Sequence, residues 1–346
     1  MDSLERVRTA LVGECPDRVP CALGFFLQSL FGSEDADELF QTDVRFVEFA
    51  PPPGQDRFLE YLESLPPGVR VGSQTQLQTY HEWGYRPERT ATLAPRGLHA
   101  LADHVTQLLP RMTATRRHAH LSERVQQLHA QGVAVAGSPP HLGGELFEAA
   151  WRMRGFSLFM RDLLKRPELV EYLLDQLAAL AAESAELLAG AGVDVLLLDD
   201  DVASGRGLLI SPEMWRRFFK PRLAQIIEAG RRSAPDMLVF YHSDGDFTAL
   251  LADLAEIGVN VINPVAPDCM DAAAIRKTFG GRMAMWGTVG TAWAWDRGTP
   301  TQLREEVRRR VEGLGRAGLL LSPAYDLDFA PRENAAAFVQ AVRDFG

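Results

Sequence analysis

Residues 192–201 read GVDVLLLDDD, an unbroken aliphatic run that stops at three consecutive carboxylates. A strand with one face in water alternates apolar and polar side chains. An unbroken run is buried on both faces, as in a parallel sheet covered by helices. Four more stretches repeat the pattern: DMLVFYHSDGD (236–246), GVNVINPVAP (258–267), RMAMWGTVG (282–290) and GLLLSPAYD (318–326). Helical stretches lie between them at 211–232, 246–257, 271–279 and 299–316. Ser211-Pro212-Glu213 and Thr299-Pro300 carry the N-cap and first-turn proline that start helices. Strands alternating with helices call for βαβ units.

The first half continues the count with RVPCALGF (18–25), VRFVEFA (44–50) and VAVAG (133–137), and a long helical stretch over 155–190 joins the third strand to the fourth. Residues 69–93 alternate like a small antiparallel excursion. Pro51-Pro52-Pro53 and Pro66-Pro67 mark loop edges rather than a linker. Eight strands with intervening helices predict an α/β fold, a single (β/α)8 TIM-type barrel with N-terminal insertions, occupying 1–346 as one domain. A doubly wound open sheet is the competitor. No G-x-G-x-x-G or G-x-x-x-x-G-K-[ST] loop follows the first strand, which weakens it.

Composition narrows the partners. A formal net charge of −10 argues against a surface that neutralises phosphate backbones, so no nucleic acid is expected. No apolar run approaches the roughly 20 residues needed to cross a bilayer. The N-terminal MDSLERVRTALVGECPDRVP lacks the basic flank and apolar core of a secretion signal. Cys15, Cys21 and Cys269 have no C-x-x-C spacing, so neither a disulfide framework nor a cysteine-rich zinc site is indicated. These features predict a reduced, cytoplasmic protein that binds a small molecule and no membrane.

In such barrels the active site sits at the C-terminal ends of the strands. The residues just past each aliphatic run are Asp199, Asp200 and Asp201; His242, Asp244 and Asp246; Asn263; Trp286 and Thr288; and Ser322 and Tyr325. Three adjacent carboxylates repel one another and call for a cation, and at least one of Asp199 and Asp200 is expected to face the site. His242 and Asp244 are two apart and share a face of an extended chain. The pair reads as a metal half-site or as a histidine whose charge a carboxylate supports. Asp246 is better read as a helix cap. Asp200, His242 and Asp244 are the candidate divalent-metal ligands and, with the hydrogen-bond donor Tyr325, the candidate catalytic residues. Asp199, Asn263, Trp286, Arg154 and Glu82 are candidate substrate contacts. Arg154 reads equally as a solvated charge, and packing of the seventh loop accounts for Trp286, Trp293 and Trp295 better than a ligand wall does. His118, His120, His129 and His141 read as surface or loop residues.

The chain resembles the uroporphyrinogen decarboxylase superfamily in ERVRTALVGECPDRVP at the start, HEWGYR (81–86), WRMRGFSLFMRDLLKRPELVEYLLD (151–175), DDDVASGRGLLISPEMWRRFFKPRL (199–223), YHSDGD (241–246), VNVINPVAP (259–267), FGGRMAMWGTVG (279–290) and LLLSPAYDL (319–327). The resemblance implies a barrel, often paired as a homodimer. It also implies one of two activities, decarboxylation of a porphyrinogen or zinc-dependent methyl transfer with a partner protein that carries a corrinoid. Two departures matter. The decarboxylases resemble one another in an arginine-bearing segment after the first strand, whereas here no arginine or lysine lies between Arg18 and Arg45. The methyltransferases carry His-x-Cys at the fifth strand and a late second cysteine, whereas here Asp244 stands in place of the first and no cysteine follows Cys269. The leading expectation is a methyl or one-carbon transferase that demethylates a small methylated compound onto a corrinoid protein. A decarboxylase of a porphyrinogen or other small acid is the alternative, and a non-catalytic ligand-binding barrel is the second.

Overall fold

A computed structural model describes residues 1–24, 36–51, 82–84, 94–290, 295, 297–324 and 330–346. Seven parallel strands form one curled sheet in the order β1 (Val44–Val47), β2 (Ala134–Gly137), β3 (Val195–Asp199), β6 (Leu238–His242), β7 (Val261–Asn263), β8 (Ala284–Val289) and β9 (Leu319–Pro323). A short antiparallel hairpin of β4 (Ala203–Ser204) and β5 (Gly207–Leu208) projects from the loop after β3. The expected strand over 18–25 contributes one parallel bridge, Cys21 to Leu321. The Leu321 amide donates to Pro20 O, the Ala22 amide to Leu321 O, and the Asp43 amide to Cys21 O. This segment therefore touches both outer strands of the sheet. Among the described residues the architecture is α/β with a curled parallel sheet of seven strands. Apart from residues 82–84, the expected excursion over 69–93 lies outside the described residues.

The helical expectations split where the sequence breaks them. The stretch 155–190 is two helices, Phe156–Lys165 and Pro167–Ala191, because Pro167 opens a new first turn. Ser211 accepts from the Met214 amide, and Thr299 with Gln302 forms a capping box, so both helices start where the caps predict. Among the described residues, no helix is long and apolar enough to cross a membrane.

Strand alternation divides the apolar side chains into two sets. Val195 and Leu197, Leu238 and Phe240, Val261, Ala284 and Trp286, and Leu320 form an inner cluster with Ala22, Val44, Ala134 and Ala136. The residues between them, such as Leu196, Leu198, Val239, Tyr241, Ile262, Met285 and Leu321, pack outward in the larger core that the helices share. Val7 and Leu11 of the first helix (Ser3–Leu11) join the inner cluster. That helix is pinned to the N-terminal ends of two strands, since the Leu4 amide donates to Gly132 O and the Gly318 amide to Ala10 O. The inner face is thus stoppered at the strand N-termini, and side chains meet at the other end.

Candidate functional site

Parity alone brings the chemistry together. Continuing the inner positions one step past Leu197, Phe240 and Val261 gives Asp199, His242 and Asn263, and all three sit side by side: Asp199 pairs with His242 in the β3–β6 register, and His242 with Asn263 in the β6–β7 register. The ladder runs on past the strand ends, with the Asp200 amide donating to His242 O and the Ser243 amide to Asn263 O. Trp286 and Phe240 lie one layer below as a T-shaped pair 5.2 Å apart. They form an apolar floor.

The orientation of the His242 ring follows from one hydrogen-bond chain. Trp286 O can only accept, so the atom of Asn263 that contacts it at 2.8 Å is the amide nitrogen. The Asn263 carbonyl oxygen then faces His242 Nδ1 at 2.5 Å, which makes Nδ1 the protonated, donating nitrogen. Nε2 is left pointing into the mouth. It faces three carboxylates: Asp201 Oδ1 at 3.5 Å, Asp244 Oδ1 at 3.7 Å and Asp199 Oδ1 at 3.9 Å. Their side chains grade outward, with Asp199 8%, Asp201 32% and Asp244 61% exposed, so the group opens toward solvent on one side. Asp199 Oδ1 is buried and makes no hydrogen bond.

Asp200 is the correction. Its two carboxylate oxygens accept from the amides of Phe147 and Glu148, both at 2.8 Å, at the start of helix Phe147–Arg154. The second of three adjacent aspartates on an extended chain points to the opposite face from its neighbours, so the residue expected to complete a metal site caps a helix instead. Among the described residues, Asp199, Asp201 and His242 are the group whose ligand atoms all lie within 4.8 Å of one another.

Behind the mouth lies a layer of buried acid that the sequence analysis missed. Glu145 Oε2 accepts from the Asp199 amide at 2.7 Å, and the Glu145 amide donates to Asp199 O. Glu148 pairs with Arg152 at 2.9 Å. Burial, then the charges of Asp201, Glu148, Glu145 and Asp200, holds the Asp199 carboxyl well above the usual range. Burial likewise raises Glu145 and Glu148, and pushes Asp200 up to about 7 against its backbone donors. Glu145 and Glu148 sit three apart in GGELFE, a spacing that reads from sequence as ordinary polarity at a helix start. His141, expected at the surface or in a loop, lies in the loop after β2 but is buried, and its imidazole is lowered to about 3 by burial, then by the charges of Arg152 and His242. Gly144 must be glycine, because a Cβ there would lie 2.7 Å from Asp200 Oδ1 and 3.0 Å from Asp199 O.

The remaining expected residues go elsewhere or stay at the rim. Arg154 is turned into the protein: its Nε donates to Asp162 Oδ2 at 2.7 Å and its Nη1 to Ala94 O at 2.6 Å. Glu82 is buried in an ion pair with Arg117 at 2.8 Å. Both read as substrate contacts from sequence, and both are spent on internal pairs because a buried charge needs a partner. Trp286 is inner-layer packing. Asp246, expected as a helix cap, accepts from the Thr248 amide at 3.0 Å, while Phe247 occupies the N-cap position of the short helix Thr248–Leu250; Thr288 and Ser322 are buried in register on β8 and β9. Tyr325 and Trp293 lie outside the described residues.

The donor set does not reproduce the thiolate-rich zinc centre that the resemblance implies. Cys269, near Asp244 and Asp246, has its thiol pushed up to about 11 by burial, then by Asp268, Asp246 and Asp244, so it stays protonated and is a poor ligand. One imidazole nitrogen with carboxylate oxygens is instead an oxygen-rich set suited to a divalent cation.

Comparison with known proteins agrees with the architecture. The chain is 28% identical over 185 residues to the methylcobamide:CoM methyltransferase MtaA of Methanosarcina barkeri, covering 53% of this chain and 51% of that protein. It is 27% identical over 218 residues to the uroporphyrinogen decarboxylase of Salinibacter ruber, covering 61% and 57% respectively. The chain thus spans about half the length of the curated relatives it matches. A solved methyltransferase from Methanosarcina mazei superposes with a TM-score of 0.64 at 18% identity, over 100% of this chain and 99% of that one, which shows a shared fold. The family model for uroporphyrinogen decarboxylase (URO-D) matches residues 102–345, a span that contains the whole His242 cluster, and the chain belongs to that family.

Proposed function

We propose that this chain is a one-carbon transferase that removes a methyl group from a small methylated compound and passes it to a corrinoid held by a partner protein, working at the mouth formed by Asp199, Asp201, His242 and Asp244. The observation that carries the reading is the His242 ring. Its Nδ1 is tied down by Asn263, and its Nε2 is aimed at three carboxylates. A second-neighbour hydrogen bond that fixes the tautomer is how proteins prepare a histidine for a metal or a reacting group. The relatives support a one-carbon reading, since MtaA by its name acts on a methylcobamide.

In this reading Asp199, Asp201 and His242 hold a divalent cation, with Asp244 at the solvent edge. Such a cation, when bound, supplies Lewis acidity to an oxygen resting against it. The residues of the chain do the rest. Asn263 keeps Nε2 pointed into the mouth, and Trp286 and Phe240 keep water out from below. Glu145 clamps the Asp199 backbone so that its carboxylate does not swing. The segment around Cys21 would complete an eight-stranded barrel over 1–346, in a cytoplasmic and homodimeric enzyme.

Decarboxylation is the second reading, favoured by the decarboxylase relative. The acidic mouth works against a polycarboxylate substrate, because like charges brought together at a desolvated site cost rather than gain. One experiment decides between them. Purified chain is incubated with methoxylated and methylated small molecules and a reduced corrinoid protein, and the visible spectrum is followed for methyl-corrinoid. Transfer is expected for wild type and absent for His242→Ala. Conversion of uroporphyrinogen with no methyl transfer, or an unchanged rate in His242→Ala, would overturn the proposal.

A further inference from the structure

We propose that the His242 mouth selects a hard divalent cation of the Mn²⁺ class and takes an oxygen ligand, not a thiol, as the substrate atom beside it. This rests on the reading of that mouth as the active site and goes on to name the chemistry it accepts. Four observations carry it.

Among the described residues the donors are one nitrogen and two carboxylate oxygens, from His242, Asp199 and Asp201, with the Asp244 carboxylate 3.7 Å from the ring at the solvent edge and no sulfur in the group. Carboxylate-rich sets favour Mg²⁺, Ca²⁺ and Mn²⁺, and a single imidazole shifts the choice toward Mn²⁺. The spacing also suits an ion. Nε2 stands 3.5–3.9 Å from the three oxygens. Two ligands each ~2.1 Å from one ion lie about 3.0–3.4 Å apart, so small side-chain movements suffice.

The third observation is Asp199 Oδ1, which is buried, aimed into the group and without a hydrogen bond. A buried acceptor left without a partner is costly, and a ligand would remove that cost. The fourth is Cys269, whose thiol is the protonated form in this acidic setting. Burial does most of this, with Asp268, Asp246 and Asp244 adding to it, and the mouth itself is just as acidic. A thiol substrate must lose its proton to react, and it would do so against Asp199, Asp201 and Asp244. An ether, alcohol or phenol oxygen meets the cation without first becoming an anion.

The test uses the full chain, stripped of metal by a chelator and dialysed. Mn²⁺ is titrated in and its free six-line electron paramagnetic resonance signal is followed. Binding of one equivalent is expected, weakened about tenfold or more in Asp201→Asn and in His242→Ala. The Co²⁺-loaded protein is then offered 2-mercaptoethanol and, separately, acetohydroxamate, a chelator that binds through two oxygens. Acetohydroxamate should shift the visible bands, and 2-mercaptoethanol should produce no near-ultraviolet sulfur-to-cobalt charge-transfer band. In Asp244→Cys that band should appear without added thiol, and Zn²⁺ should gain on Mn²⁺ by about tenfold or more; this variant carries the test if Asp201→Asn does not fold. A charge-transfer band with 2-mercaptoethanol on wild type and no response to acetohydroxamate would overturn the oxygen preference while leaving the His242 mouth as the active site. Failure of Mn²⁺ and Co²⁺ to bind would overturn the inference altogether, and methyl transfer that persisted without metal would show the functional reading surviving it.

Discussion

Replacing Asn263 with leucine tests the central geometric claim, because leucine keeps the volume and removes both hydrogen bonds. Asn263 accepts from His242 Nδ1 at 2.5 Å and donates to Trp286 O at 2.8 Å. In Asn263→Leu, the buried Trp286 carbonyl and the half-buried imidazole N–H both lose their partners. At about 1–3 kcal/mol for each fully buried orphan, and less for the imidazole, the expected loss of stability is ~2–4 kcal/mol. The ring also loses its fixed tautomer and is free to rotate away from the carboxylates. Removing such a supporting group typically lowers metal affinity ~10–100-fold. Urea unfolding gives the first number and Mn²⁺ titration the second. Both should change together. A variant destabilised as expected that still binds Mn²⁺ within about twofold of wild type would refute the argument, since Asn263 would then be a structural bracket with no hold on the histidine.

Other substitutions probe separate parts of the account. Arg154→Met breaks a buried pair with Asp162 and should cost ~3–5 kcal/mol in urea unfolding, with KM unchanged in whatever protein remains folded; a raised KM at full stability would restore Arg154 as a substrate contact. In Gly245→Ala, a Cβ on a residue with φ +83° would run into the Ser204 carbonyl group. The loop that carries Asp244 should shift and stability should fall by ~1–3 kcal/mol, read from thermal unfolding together with Mn²⁺ affinity. His141 has a folded pKa lowered to about 3, below its unfolded value, so its contribution to stability is present above about pH 6.5 and is lost as pH falls from there toward 3. His141→Gln should remove up to about 1.4 kcal/mol per pH unit of the acid-side slope in urea midpoints measured between pH 6.5 and 4.5, and an unaltered slope would show that another group carries it.

The strand ends were legible from sequence because burial on both faces leaves an unbroken aliphatic run, and such a run must end where the sheet does. That logic led to Asp199, His242 and Asn263 without any contact being known, and it singled out VFYHSDGD (239–246) as the rim of a candidate site. The local role of Asp246 was equally readable, since its side chain bonds an amide only two residues on. Glu145, Glu148 and His141 were not readable. Nothing in their neighbours in sequence marks a polar side chain for burial, and what buries them is the approach of the loop after β2 to the end of β3.

Local and periodic features are written along the chain: the β–α alternation, the helix starts at Ser211 and Thr299, the net acidity, and the set of residues at strand ends. Which of those residues meet follows from packing alone. Three adjacent aspartates carry the same chemistry on paper. The pleat turns Asp199 and Asp201 toward His242, while the amides of Phe147 and Glu148 claim Asp200 from across the fold. Arg154 and Glu82 were likewise drawn inward by Asp162 and Arg117. Side-chain type is written in the chain, but the partner that satisfies a buried charge comes from another strand or helix, and its arrival depends on register and packing that no short stretch of sequence encodes.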